Sequence, residues 1–231
     1  MPEAVMTFWV SLEGPNGVGK SHLARCLARR LGPGCTLAPE LSDLPRDGLA
    51  PALVTALAAG GDPFLRGDAP LARTLTLLAL KARLWEQFTT TGQHPAVVLE
   101  DRGVDTVAVY QAAIIAGTGA SDAALHGEMD RIYAAATAMR PLPDLTLLLM
   151  DDLAACARRY ALRTGGPLQP ADRALSDCAV RLYRHRAAQE PGRIKLVNRR
   201  GLSEADFLDL LAQIISDALL ARQEVPGCSA T

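Results

Sequence analysis

The sequence predicts an α/β protein in three layers, a parallel sheet of about five strands covered by helices on both faces. Three observations lead there. First, short apolar runs at Met6–Leu12, Ala96–Leu99, Asp144–Met150 and Ile194–Val197 have the continuous hydrophobicity of buried parallel strands. Second, segments with apolar residues at helical spacing separate them, which is the crossover pattern that returns each strand parallel to the last. Third, the first run leads directly into Gly14-Pro15-Asn16-Gly17-Val18-Gly19-Lys20-Ser21, the phosphate-loop pattern G-x-x-x-x-G-K-[ST] in its proper place between strand and helix. A chain of 231 residues can bury such a core without disulfides or structural metal.

Each element follows from local signals. Leu23, Leu27 and Leu31 carry the first helix, and Gly32-Pro33-Gly34 stops it. Cys35–Ala38 is a short second strand. Residues 42–69, rich in Gly, Pro and Asp, form an excursion with a short helix over Pro51–Ala58. From Leu71 to Phe88 a long helix places Leu75, Leu78, Ala82 and Trp85 on one face, and Gly92 and Pro95 close it. The Ala96–Leu99 strand is followed at once by Glu100-Asp101-Arg102, charges at the carboxyl end of a strand, where open α/β sheets bind ligands. Helices are expected at Thr106–Ala116, Asp122–Met139 and Leu153–Leu162, and, after a Gly/Pro- and Arg-rich stretch at Arg163–Arg173, another to about Gln189. Ser203 with Asp206 starts the last one, with an apolar stripe at Phe207, Leu210, Leu211, Ile214, Ile215, Ala218 and Leu219. The reading is one domain over residues 1–222 with a frayed tail at 223–231.

A formal net charge of −1 argues against a nucleic-acid surface, and no run reaches the ~20 apolar residues of a membrane helix. Five cysteines without a pairing pattern read as reduced thiols, so a cytoplasmic protein is expected. His22, His94, His126 and His185 show no metal spacing and read as surface or structural residues.

The loop chemistry is specific. Its glycines let successive N–H groups face phosphate oxygens, and the pattern predicts that Lys20 would reach the β/γ-phosphates and the Ser21 hydroxyl would ligate Mg²⁺. No guanine-specificity box N-K-x-D or T-K-x-D occurs, and no D-E pair follows a buried strand. Instead Asp101 precedes Arg102. The carboxylate can orient the water around Mg²⁺ while the guanidinium forks onto a second phosphate, an arrangement suited to transfer between two phosphorylated species.

On these residues the chain resembles the thymidylate kinase family. The segment Leu12–Ser21 is similar to F-E-G-x-D-G-x-G-K-S/T, and Asp101–Gln111 resembles D-R-x-x-x-S-x-x-A-Y-Q. Pro143-Asp144-Leu145-Thr146 is similar to the family's P-D-L-T strand, and Arg158–Arg173 to its arginine-rich LID. The resemblance implies a P-loop kinase fold and a homodimer that transfers a phosphoryl group from ATP, with Mg²⁺, to a nucleoside monophosphate. It implies donor binding by Gly14, Asn16, Gly17, Val18, Gly19, Lys20, Ser21 and His22, and metal binding by Ser21 and Asp101. Acceptor binding falls to Asn16, Arg83, Arg102, Thr106, Tyr110 and Gln111, and catalysis to Lys20, Asp101, Arg102, Arg158 and Arg163. Three departures stand out. Asn16 replaces an acidic residue, Ala79 an aromatic that stacks on the base, and Gly17 an arginine that some members carry, which leaves that charge to the LID. The implied acceptor is dTMP or an altered pyrimidine-like nucleotide, with Phe64 available to cover the gap at Ala79. A kinase of a nucleoside-like metabolite and an inactive nucleotide-binding partner are the alternatives.

Overall fold

The structure is a computed structural model and describes residues 7–39, 49–62, 64–90 and 95–223. Five strands, β1 (Phe8–Glu13), β2 (Cys35–Leu37), β3 (Val97–Asp101), β4 (Leu145–Met150) and β5 (Ile194–Asn198), form one sheet in the order β2-β3-β1-β4-β5. Every pairing is parallel, with Val10 opposite Leu99 on one side and Leu145 on the other. The described helices are α1 (Lys20–Leu31), α2 (Leu49–Ala58), α3 (Pro70–Thr90), α4 (Val104–Ala116), α5 (Asp122–Thr137), α6 (Leu153–Thr164), α7 (Pro170–Gln189) and α8 (Glu204–Gln223). None of them is long and apolar enough to cross a membrane.

The two-residue period of the strands divides the core between the faces. Phe8, Val10 and Leu12 of β1 and Leu145, Leu147 and Leu149 of β4 turn toward α1 and α8, where Leu23, Leu27, Phe207 and Leu211 meet them. Leu148 and Met150 turn the other way, to Val104, Ala108, Met129, Ala179 and Leu182 of α4, α5 and α7. Three layers follow from that alternation.

Several boundaries and faces differ from expectation. Glu100 and Asp101 lie inside β3 rather than after it, and both are buried. Burial of Glu100 is tolerated because Lys81 Nζ sits 3.0 Å from its Oε1, Arg140 Nη2 3.2 Å from its Oε2, and Trp9 Nε1 donates to Oε2 at 2.7 Å. Burial pushes this carboxyl upward, but Lys81 and Arg140 outweigh it and hold it below the ordinary range. On α3 the buried face is Thr74, Leu77, Leu78, Lys81 and Leu84, whereas Leu75 is 59% exposed. The helix has leucine on nearly every side, so its sequence does not select a face, and the charge partner of Lys81 does. On α8, Leu210 is exposed and Phe207, Leu211 and Ile215 carry the contact. The segment 42–48, His94 and the tail at 224–231 lie outside the described residues, as does Cys228; the other four cysteines are unpaired.

With β3 and β4 on either side of β1, the loops leaving these three strands converge at one edge, the switch point where such sheets bind ligands.

Candidate active site

The loop after β1 needs glycine at two places for a reason the geometry makes concrete. Gly14 has φ +134°, and a Cβ there would lie 2.2 Å from the Leu149 carbonyl oxygen; at Gly17, φ +84°, a Cβ would lie 2.0 Å from the Cys156 carbonyl oxygen. Backbone occupies both spaces. Helix α6 therefore packs directly on the loop, and Arg159 fixes it there by donating from Nε to Gly17 O at 2.7 Å and pairing with Asp151 at 2.5 Å. No side chain fits at position 17, and the guanidinium nearest the loop there is that of Arg159 on α6. Val18, expected among the donor-binding residues, buries its side chain in the core, so what it offers the loop is its backbone.

Lys20 is buried, and its Nζ donates to Gly14 O at 2.7 Å and Pro15 O at 3.0 Å. Burial and then the nearby Arg102 guanidinium push its ammonium below the ordinary lysine value. Beneath it Glu13 accepts from Gly103 N at 2.7 Å, from Tyr183 at 3.1 Å, from Ser11 at 3.2 Å and from Thr106. Burial and then Asp105 raise the Glu13 carboxyl. This buried acceptor ties the start of α4 to the loop and so positions the turn at Arg102.

Two cavities open on either side of that turn. One, of about 400 Å³, is lined by Gly17, Gly19, Lys20, Ser21, His22, Arg25, Arg102, Arg159 and Arg163. The other, of about 370 Å³, is walled by apolar side chains of α2, α3 and α4 together with Phe64, and its polar groups are Asn16, Lys81, Asp101, Arg102, Thr106 and Gln111. Both volumes fall within the ~300–1,000 Å³ usual for small-molecule sites. Arg102 lines both. It holds φ +62°, a conformation L-residues rarely adopt, and Lys81 donates to its carbonyl oxygen. Its Nη2 donates to Asn16 Oδ1 at 2.9 Å. An amide orients the guanidinium without neutralising it, so its charge is left for a ligand.

In the second cavity several polar groups are already spent. Lys81 serves Glu100 and the Arg102 carbonyl, and the Thr106 hydroxyl serves Glu13 and Tyr183 at 2.9 Å. The side chain of Gln111 meets Thr74 at 3.0 Å. Asp101 differs. Both of its carboxylate oxygens are buried, and neither has a hydrogen-bond partner among the described residues. Phe64 closes the cavity, its ring 6.1 Å from Tyr110 and 6.4 Å from Tyr160 of α6. An Arg66–Asp172 ion pair at 2.6 Å anchors that segment to α7.

No family model matches the chain, and no curated protein matches it by sequence. Solved structures do match. Thymidylate kinase from Candida albicans superimposes with a TM-score of 0.64 at 18% identity, covering 92% of each chain. Thymidylate kinase from Ehrlichia chaffeensis gives 0.60 at 16%, covering 92% of this chain and 99% of that one. The fold is that of the thymidylate kinases.

Within this thymidylate kinase fold, some of the expected site residues stand away from the two cavities. Named for the residues expected at each, the first cavity is the donor-side one and the second the acceptor-side one; Arg83 is exposed and does not line the second, and neither does Ala79 one turn before it. The α3 residues that do line it are Leu77 and Lys81, the same four-residue spacing shifted by two. A two-residue shift turns a helical side chain by about 200°, away from the cavity. Arg158 is likewise exposed and outside the donor-side cavity, while its neighbour Arg159 lines it with Arg163. His22 lines the donor-side cavity, but its ring is engaged by Glu204 at 2.8 Å, a contact between residues too distant in sequence to be read from local spacing. Asn16, Thr106, Tyr110 and Gln111 do line the acceptor-side cavity, and Gly17, Gly19, Lys20 and Ser21 the donor-side one.

Proposed function

We propose that the chain is an ATP- and Mg²⁺-dependent kinase that phosphorylates a nucleoside monophosphate, dTMP or a pyrimidine-like relative. The observation that carries this reading is Arg102, a guanidinium lining both cavities and oriented by a neutral partner. The structural neighbours, both thymidylate kinases, support the same class. The phosphate loop with Lys20 would hold the donor, and Ser21 and Asp101 would hold Mg²⁺. The two partnerless buried oxygens of Asp101 suit an ion or its water shell. Bound there, Mg²⁺ would supply neutralisation of the phosphate charge. Arg102 would align the acceptor phosphate so that one of its oxygens forms a bond to the γ-phosphorus as the bond to the β-phosphate oxygen breaks, releasing ADP. Arg159 and Arg163 would neutralise the transferring group, and α6 would keep water out.

The acceptor ring would rest between Leu77, Phe64 and Tyr110, with Phe64 supplying the aromatic surface that α3 does not present to this cavity. An acceptor panel with ATP and Mg²⁺ tests the assignment. A monophosphate should be preferred over its parent nucleoside by at least about a hundredfold in kcat/KM, or ~3 kcal/mol, which one bidentate arginine contact can supply. Equal use of both forms would mean that the acceptor site has been rebuilt. The apolar walls favour one second reading, a nucleoside-like metabolite as acceptor, and the same panel reports it as preference for the unphosphorylated form.

We also propose a homodimer through α3. Most of its leucines are spent inside the fold, and Leu71 and Leu75 with Ala79 remain on the outer side. Light scattering at micromolar concentration should give twice the chain mass of 24.5 kDa. A monomer mass would remove the proposal.

A further inference from the structure

The outer side of α1 carries a cluster that phosphoryl transfer does not use. His22 and Cys26 are one helical turn apart and so share a face. Glu204, the first residue of α8, reaches the same point from the other end of the chain. His22 Nε2 lies 2.8 Å from Glu204 Oε1 and 3.7 Å from Cys26 Sγ, and all three donor atoms lie within 4.8 Å of one another. We propose that His22, Cys26 and Glu204 form a binding site for a soft divalent cation of the zinc type at the rim of the donor-side cavity.

Bonds of about 2.0 Å to nitrogen and oxygen and about 2.3 Å to sulfur in a tetrahedron put the ligand atoms roughly 3.3–3.7 Å apart. Small side-chain movements reach that from the observed spacing, and all three residues are at least partly exposed. The donor set is selective. Imidazole with thiolate suits Zn²⁺, whereas Mg²⁺ prefers oxygen alone. Arg29 Nη2 donates to Cys26 Sγ at 3.2 Å, so the sulfur already faces a cation. Three protein ligands leave one position open, and since His22 lines the donor-side cavity that position lies at its rim. Positive neighbours set the affinity. Arg29 beside Cys26, and Arg199 at 3.7 Å from Glu204 Oε2, oppose a dication, so binding should be micromolar rather than the far tighter binding of a closed structural site.

The test needs no turnover and is independent of the kinase reading. The intact protein is titrated with Zn²⁺ against a chromophoric chelator in excess Mg²⁺, and separately with Co²⁺. One equivalent of Zn²⁺ should bind, weakened at least about tenfold by Cys26→Ser and by His22→Ala, and less by Glu204→Gln. A sulfur-to-Co²⁺ charge-transfer band should be present in the unsubstituted protein and lost in Cys26→Ser. Circular dichroism verifies that each variant is folded. Absence of Zn²⁺ binding below about 100 µM would overturn the proposal, as would binding indifferent to both Cys26→Ser and His22→Ala.

Discussion

Replacing Lys20 with alanine is expected to lower kcat/KM by about a thousandfold or more, ~4 kcal/mol of transition-state stabilisation, while the protein stays folded. Lys20 is the one lysine lining the donor-side cavity, and its ammonium is turned toward the carbonyl oxygens of Gly14 and Pro15. Phosphate arriving there replaces weak carbonyl partners with anionic ones. ATP affinity measured by calorimetry should fall together with the rate. Stability should respond differently. Burial and Arg102 depress the Lys20 pKa below its unfolded value, so the folded chain gives up this proton more readily than the unfolded chain. Stability from this group therefore rises as pH climbs from the depressed value toward the ordinary lysine value, and the variant should lack that rise. Near-normal turnover in Lys20→Ala would remove the kinase assignment.

The second large effect is expected at Arg102. With alanine there, kcat/KM for the monophosphate should drop by about a hundredfold to a thousandfold, and that for the parent nucleoside should change little. Selectivity between the two forms would collapse. Arg102→Lys should recover only part of the loss, because an ammonium keeps the charge and not the fork that Asn16 orients. If Arg102→Ala kept its preference for the monophosphate, the acceptor phosphate would have to be held by another cation, and the two-cavity reading would fail.

The sheet and the phosphate loop were legible in the sequence because their signals are local. A continuous apolar run makes a buried strand, and the glycine pattern between strand and helix has a single backbone meaning. The place of Asp101 and Arg102 beside the cavities was legible for the same reason, at the end of such a run. Helix faces were not. One residue turns a side chain by about 100°, so Arg158 and Arg159 cannot be told apart from charge alone; the carbonyl of Gly17 and the carboxylate of Asp151 make the choice. On α3 the leucines satisfy several registers equally, and the ion pair between Lys81 and Glu100 selects one. Glu100 itself is 19 residues further along, and nothing in local spacing announces it. The cluster at His22 was hidden by the same distance effect, since Glu204 arrives from the opposite end of the fold.

The commitment of Lys81 to the scaffold bears on how this protein can change. A wall that carries its charge inward has its structural and its recognition duties on different atoms. Lys81 and Glu100 hold α3 to β3 by charge, whereas Val54, Leu57, Phe64 and Leu77 wall the cavity with apolar surface that also packs in the core. Substitutions among those four would redraw the acceptor's outline without unpairing a buried ion. A lineage could thus drift from one acceptor to another through volume-conserving apolar exchanges, while the turn at Arg102 kept the proposed phosphate end constant.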